Sequence, residues 1–209
     1  MIELWHCKDS RSLRALWTLE ELGLEYRLHL LDFPPRFSDP TYLETNPLGT
    51  VPCLLDGRTR LTESSAICHY LARQHGTGTL ALTPESPAYG DWLNWLYHSD
   101  ATLTFPQTLV LRYGRFEPSE RRQQQVVEDY TQWYLARLKL VNARLEEAEY
   151  LCAGRFTAAD IAVGYALYLG KVIGLAQHYK PQTAAYLDRL MARPAFRRAN
   201  AHGAPLPGV

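Results

Sequence analysis

The chain has 209 residues, 46% of them hydrophobic, with 22 basic side chains against 22 acidic ones. This is an ordinary globular composition, long enough for two small domains or one medium one. The zero formal charge gives no electrostatic reason to expect nucleic acid or an anionic membrane as partner, and no apolar run approaches the ~18 residues of a membrane helix.

Residues 2–5 alternate like a strand, with no basic segment before them, so the expected location is the cytoplasm. Residues 12–22 carry Leu13, Leu16, Trp17, Leu19 and Leu22, an apolar face at helical spacing that Gly23 stops. Tyr26, Leu28 and Leu30 alternate with Arg27 and His29, which predicts a second strand. A β-α-β order implies a parallel pair with a right-handed crossover. Cys53-Leu54-Leu55, then Asp56-Gly57 and a short run to Thr62, predicts a hairpin. Residues 65–75 form a further helix with Ile67, Tyr70 and Leu71 inward. This β-α-β then β-β-α order is the thioredoxin-like plan.

The stretch 76–87, with Gly76, Gly78, Pro84 and Pro87, lacks periodicity and reads as a linker. Everything beyond it is helical in character: 88–104, 119–150, the almost wholly apolar 158–173, and 182–192 closed by Arg193-Pro194. The tail over 200–209 is expected to be irregular or frayed. The fold class is therefore an α/β thioredoxin-like domain over 1–76, a linker over 77–87 and an all-α bundle over 88–209. Cys7, Cys53, Cys68 and Cys152 form no C-x-x-C pair and no zinc-like spacing, so they are expected as free thiols with no metal.

The most informative stretch is Asn46-Pro47-Leu48-Gly49-Thr50-Val51-Pro52, followed by Glu63-Ser64-Ser65-Ala66-Ile67. The first reads as a turn entering a strand through an X-Pro bond. A cis bond there is accessible at modest cost and turns the backbone of Val51 outward, an edge suited to an extended peptide. The second reads as a helix start capped by Ser64, whose open N–H groups suit a carboxylate. Together these segments resemble the glutathione site of the glutathione transferase family. Gly154-Arg155-Phe156-Thr157-Ala158-Ala159-Asp160-Ile161 resembles the family's capping box and hydrophobic staple, and residues 186–199 resemble its closing helices. The resemblance spans residues 2–199.

The resemblance implies a transferase that ionises the glutathione thiol and directs it at a small hydrophobic electrophile, with glutathione as co-substrate, no metal, a detoxifying role and a homodimer. By position, Val51 would pair with the cysteinyl backbone and Pro52 fix the bend. Ser64 and the N–H of Ser65 would take the γ-glutamyl carboxylate, and Glu63 its ammonium. Thr50 stands where several classes carry a basic or amide side chain, which leaves Arg36 or, less well, Lys8 for the glycyl carboxylate.

A free thiol has a pKa of about 8.5, and a hydroxyl donor beside a helix N-terminus lowers it. The loop after the first strand reads His6-Cys7-Lys8-Asp9-Ser10-Arg11-Ser12-Leu13-Arg14 and holds no tyrosine. Ser10 is the first candidate, at the interval before Arg14-Ala15 found in serine-type, theta-like bacterial or fungal-like classes. Ser12 is the second, with an N-cap of its own helix as the alternative. Arg11 could screen the thiolate. Cys7-Lys8-Asp9-Ser10 is also a C-x-x-S pattern at the place of a thioredoxin redox cysteine, so a Cys7-dependent oxidoreductase or lyase is the second reading. A non-catalytic interaction protein on the same fold is the third. The electrophile pocket is expected along the first helical hairpin, with Tyr97, Leu103, Phe105, Leu109, Arg112 and Tyr113 as candidates and core packing as the alternative.

Overall fold

The structure is a computed structural model that describes residues 1–206. The part of the tail expectation covering 207–209 lies outside the described residues. Strand β1 (Ile2–His6), helix α1 (Ser12–Leu22) and strand β2 (Tyr26–Leu30) form the β-α-β unit. The two strands are parallel, with Ile2 opposite Tyr26 and His6 opposite Leu30. Helix α1 buries Leu13, Leu16, Trp17 and Leu19 almost completely, as its apolar spacing dictates. It ends at Gly23, whose φ of 63° lies in the left-handed region that glycine enters without a Cβ penalty.

Two helical turns follow, α2 (Pro35–Ser38) and α3 (Tyr42–Thr45). They are too short to show an apolar period. Strands β3 (Cys53–Asp56) and β4 (Thr59–Leu61) then form the hairpin, turning at Gly57 with φ 59°. The sheet order is β2-β1-β3-β4, with β3 antiparallel to both neighbours. Helix α4 (Ser64–Gln74) buries Ile67 and Leu71, while Tyr70 is half-buried and donates through its hydroxyl to the Asp56 carboxylate at 2.9 Å.

The chain divides into two compact units, one of residues 82–190 and the other of residues 1–81 joined by 191–206. The first of these opens with α5 (Tyr89–His98), which widens over residues 99–104 so that the Phe105 N–H reaches the Asp100 carbonyl, five residues back. Helix α6 (Phe105–Leu111) has Pro106 in its first turn. Proline lacks an N–H and crowds the preceding turn, so a wider turn just upstream is the local solution. The expected helix over 119–150 is shorter: α7 runs Gln124–Glu147, preceded by a single turn at Ser119–Arg121. Arg122 and Gln123 are extended and interrupt the pattern.

Helix α8 (Ala158–Val172) has an unbroken buried run from Ala158 to Gly170, as its apolar sequence predicts. Its start is a capping box. Thr157 Oγ1 accepts from the Ala159 N–H at 3.2 Å, and Asp160 accepts from the Thr157 N–H at 2.8 Å. Helix α9 spans Pro181–Met191.

The last helix, α10 (Pro194–Asn200), packs on α1. Phe196 meets Trp17 edge-on at 4.9 Å, and Arg193 forks onto the Glu21 carboxylate at 2.6 and 2.8 Å. No described helix is both long and apolar enough to cross a membrane.

Candidate functional site

Strand pairing brings three distant segments to one end of the sheet. Trp5 pairs with Cys53, so the loop after β1 lies beside the residues that enter β3. Leu54 pairs with Leu61, so the residues that leave β4 and start α4 lie at the same end. Residues 7–12, 50–52 and 62–65 therefore surround one edge.

In the loop, Asp9 holds a left-handed φ of 59°, unusual for a non-glycine and costly by about 1–2 kcal/mol. Ser10 follows this turn, half-buried and just ahead of the first turn of α1. Its hydroxyl lies 2.7 Å from the Cys7 carbonyl and 2.7 Å from Ser12 Oγ, and its oxygen accepts from the Ser12 N–H at 3.3 Å. Ser12 is buried and does not cap its helix; it is the first helical residue, and the N-cap is Arg11, without a side-chain capping bond. The Ser12 hydroxyl instead sits 2.7 Å from His6 Nδ1 and accepts from the Cys7 N–H at 3.2 Å. Arg11 is half-buried.

Cys7 is only 2% exposed, and its Sγ points to the Asp32 carbonyl at 3.7 Å. Burial, reinforced by the Asp32 charge, pushes its thiol up to about 12. Thiol exchange needs the reverse, an accessible sulfur with a lowered pKa. The C-x-x-S pattern is present in sequence, but its cysteine faces the core.

At the second segment, the Val51–Pro52 peptide is cis. The N–H and C=O of Val51 have no backbone partner among the described residues. The preceding peptide is clamped: the Thr50 carbonyl accepts from Tyr42 Oη at 2.6 Å and from Asn46 Nδ2 at 2.7 Å. Asn46 also closes the turn, accepting from the Leu48 N–H at 3.2 Å. Gly49 is required twice over. Its φ is 59°, and a Cβ there would fall 2.6 Å from the Arg36 Cβ. That approach puts the backbone of Arg36 against the 49–51 segment. The Arg36 side chain is exposed, with its guanidinium 4.7 Å above the Phe37 ring. Thr50 is exposed and Pro52 buried.

At the third segment, Glu63 is the exposed N-cap of α4, and Ser64, expected as the cap, is its first helical residue. Ser64 and Ser65 are both buried, at 2% and 3% exposure. Arg14, wholly buried on α1, donates from Nη1 to Ser64 Oγ at 2.9 Å. A hydroxyl that accepts from a guanidinium turns its single proton elsewhere. The first-turn N–H groups, the Ser64 hydroxyl and the Arg14 charge together make this end of α4 electropositive.

The aromatic candidates of the 82–190 unit separate by burial. Leu103 is completely buried and packs in the core, so it is withdrawn as a pocket residue. Tyr97 and Phe105 are about half exposed, Leu109 and Tyr113 are half-buried, and Arg112 is exposed and paired with Glu117 at 3.0 Å. Among the described residues, no group of three or more His, Cys, Asp or Glu side chains could hold a metal ion.

Sequence reasoning assigned no side-chain role to three residues that shape the site. Asn46 stood in the turn before Val51, and its Asn-Pro start was the one usable signal. His6 and Arg14 stood only as positions in the loop after the first strand, because long-range contacts leave no local pattern.

Residues 10–74 match the model of the family described as glutathione S-transferase, N-terminal domain. The chain is 30% identical over 204 residues to glutathione S-transferase GstB of Escherichia coli, covering 95% of this chain and 97% of that protein. Among solved structures, the ternary complex of BphK, a bacterial GST, aligns with a TM-score of 0.82 at 28% identity, over 95% of this chain and 98% of that one. The glutathione-bound theta class enzyme of Xanthomonas axonopodis pv. citri aligns with a TM-score of 0.78 at 27% identity, over 97% and 98%.

Proposed function

This chain belongs to the glutathione S-transferase family, and from that premise we propose that Ser10 ionises the thiol of bound glutathione for attack on a hydrophobic electrophile. It is a glutathione transferase with glutathione as co-substrate. The observation that carries the Ser10 assignment is the half-buried Ser10 hydroxyl at the mouth of α1, next to a Cys7 whose sulfur is buried. A charge-assisted hydrogen bond worth about 1.5–3 kcal/mol lowers a thiol pKa by roughly one to two units. From about 8.5 that brings it near neutrality. The α1 N-terminus and Arg11 add to the same effect.

Glutathione lies with its cysteinyl backbone on Val51 and its γ-glutamyl carboxylate on Ser64 and the Ser65 N–H. Glu63, exposed at the N-cap, takes the ammonium. Arg36, whose backbone abuts Gly49, supplies the cation for the glycyl carboxylate in place of the uncharged Thr50. The thiolate adds to, or displaces a leaving group from, a small hydrophobic electrophile. The four cysteines are all free, which suits a reducing cytoplasm; the detoxifying role follows from the family reading alone. A homodimer is supported by an open groove of about 580 Å³ on the 82–190 unit, edged by Trp133 and Leu140, both over two-fifths exposed. Light scattering that shows a monomer at all concentrations would refute the dimer.

The test of the mechanism is an ultraviolet difference spectrum on adding glutathione near neutral pH. A saturable thiolate band in the native chain that disappears in Ser10→Ala, with S-methylglutathione still bound, is the expected result. A band that persists in Ser10→Ala rejects Ser10 as the donor.

A further inference from the structure

Three side chains form a line from the core to the loop. His6 Nδ1 lies 2.7 Å from Ser12 Oγ, and Ser12 Oγ lies 2.7 Å from Ser10 Oγ. Each hydroxyl owns one proton, so the direction of donation along the line is set once either end is set. If Ser10 gives its proton to a sulfur outside the line, it cannot donate to Ser12. The short Ser10–Ser12 contact then requires Ser12 to donate to Ser10. The equally short Ser12–His6 contact in turn requires His6 to donate from Nδ1. The reverse order turns both hydroxyl protons inward and leaves the ligand facing a lone pair.

We propose that His6 is a positioning residue for the transferase step, acting as the buried Nδ1–H donor that turns the Ser12 and Ser10 hydroxyl protons outward to the thiolate. This rests on the reading of Ser10 as the group that faces the sulfur. His6 is only 1% exposed; its Nδ1 makes the 2.7 Å contact with Ser12 Oγ, whereas its Nε2 makes no hydrogen bond of good geometry among the described residues, although the His202 backbone lies near the ring, so the short Nδ1 contact is the better place for the ring proton. Ser12 Oγ accepts from His6 and from the Cys7 N–H, and its one proton has two acceptors in reach, Ser10 Oγ at 2.7 Å and the Cys7 carbonyl at 3.2 Å; the shorter contact takes it. Ser10 Oγ accepts from Ser12 Oγ and the Ser12 N–H. Its proton rests on the Cys7 carbonyl until a sulfur arrives. No bond in the line breaks when the ligand binds, and successive donors polarise one another.

His6 does not take the thiol proton. Burial, with the nearby His202 and Lys8 charges, lowers its pKa to about 4, so the ring stays neutral while the thiol proton leaves to solvent. Its role is therefore orientation of a dipole chain.

The experiment titrates the thiolate band of bound glutathione in the full-length chain and in His6→Leu, His6→Asn, Ser12→Ala and Ser10→Ala, with S-methylglutathione affinity as control. In His6→Leu the thiol pKa rises by roughly half to one unit and kcat/KM at neutral pH falls about threefold to tenfold, while S-methylglutathione affinity is retained. His6→Asn, whose amide can donate from the Nδ1 position, keeps the native thiol pKa. Ser12→Ala matches His6→Leu, and the double variant adds nothing further. An unchanged thiol pKa in His6→Leu beside a raised one in Ser10→Ala overturns the His6 role and spares Ser10. An unchanged thiol pKa in Ser10→Ala overturns the underlying mechanism instead. Should His6→Leu not fold, a native thiol pKa in Ser12→Ala, or a raised one in a folded His6→Asn, overturns the proposal.

Discussion

Arg14 and Ser64, fifty residues apart, are joined by a 2.9 Å hydrogen bond inside the protein. The bond ties the first helix to the start of α4, the electropositive helix end. A buried guanidinium needs good partners to offset its lost hydration. Removing it takes away the guanidinium donor to Ser64 Oγ and leaves a void where the side chain lay.

Arg14→Met is expected to cost about 2–4 kcal/mol in urea unfolding, from the lost charged hydrogen bonds. It should also raise the glutathione KM more than it lowers kcat, because it disturbs the carboxylate end and not the sulfur. Arg14→Lys should recover little, since a single ammonium cannot reproduce the planar fork. A kcat loss with unchanged KM would contradict this division.

Gly49→Ala tests the turn before Val51. The new Cβ meets the Arg36 Cβ at 2.6 Å and a Leu43 methyl at 2.9 Å, in a left-handed backbone. The expected loss is roughly 2 kcal/mol or more in stability. Glutathione affinity should fall as well, measured by calorimetry, because the Val51 edge moves with the turn. Native affinity in the folded variant would show that the edge is not used.

Cys7 makes stability fall in alkali. Its folded pKa is raised from 9.0 to about 12, so above pH 9 the unfolded chain releases a proton that the folded chain keeps. Unfolding then becomes easier as pH rises from about 9 to 12, by up to about 1.4 kcal/mol per unit. Cys152, raised to about 11, contributes in the same direction over a narrower range. The slope should shrink in Cys7→Ala relative to the native chain in denaturant titrations across that window. At neutral pH the native Cys7 should resist iodoacetamide, read by mass spectrometry. Rapid labelling would place its sulfur in solvent.

Asp160 anchors the central helix of the 82–190 unit. Besides the Thr157 N–H it accepts from the Leu151 N–H at 3.0 Å and from Tyr186 Oη at 2.7 Å. Asp160→Ala strands these buried donors and is expected to cost about 3–5 kcal/mol, whereas Thr157→Ala, which removes a cap, costs about 1 kcal/mol. Equal losses in the two variants, compared by denaturant unfolding, would contradict the network.

Much of this architecture was legible from local pattern. The apolar spacing of residues 12–22 and the Gly23 stop located α1, and alternation located β1, because burial of one face imposes a period; alternation also located β2, although none of its residues is fully buried and Leu30 is exposed. Boundaries were less legible. Helix α7 begins at Gln124, not 119, because Arg122 and Gln123 are extended, which apolar spacing does not register. Ser64 is expected as a cap, and Ser12 as either a thiol donor or a cap, and both are first helical residues. A serine near a helix start reports the neighbourhood of the end but not the backbone angle that defines a cap.

The sequence by itself determined the two-part plan, the family resemblance, and the loop from which the proposed thiol-facing group is drawn. Hydrophobic period and short motifs are local properties, and a single chain carries them openly. Tertiary structure alone decided that Cys7 turns into the core, that His6 stands behind Ser12, that Arg14 reaches Ser64, and that α10 returns to α1. Those outcomes depend on which strands pair and which side chains lose water. Contacts between residues far apart in the chain are settled by packing, and packing leaves no period to read.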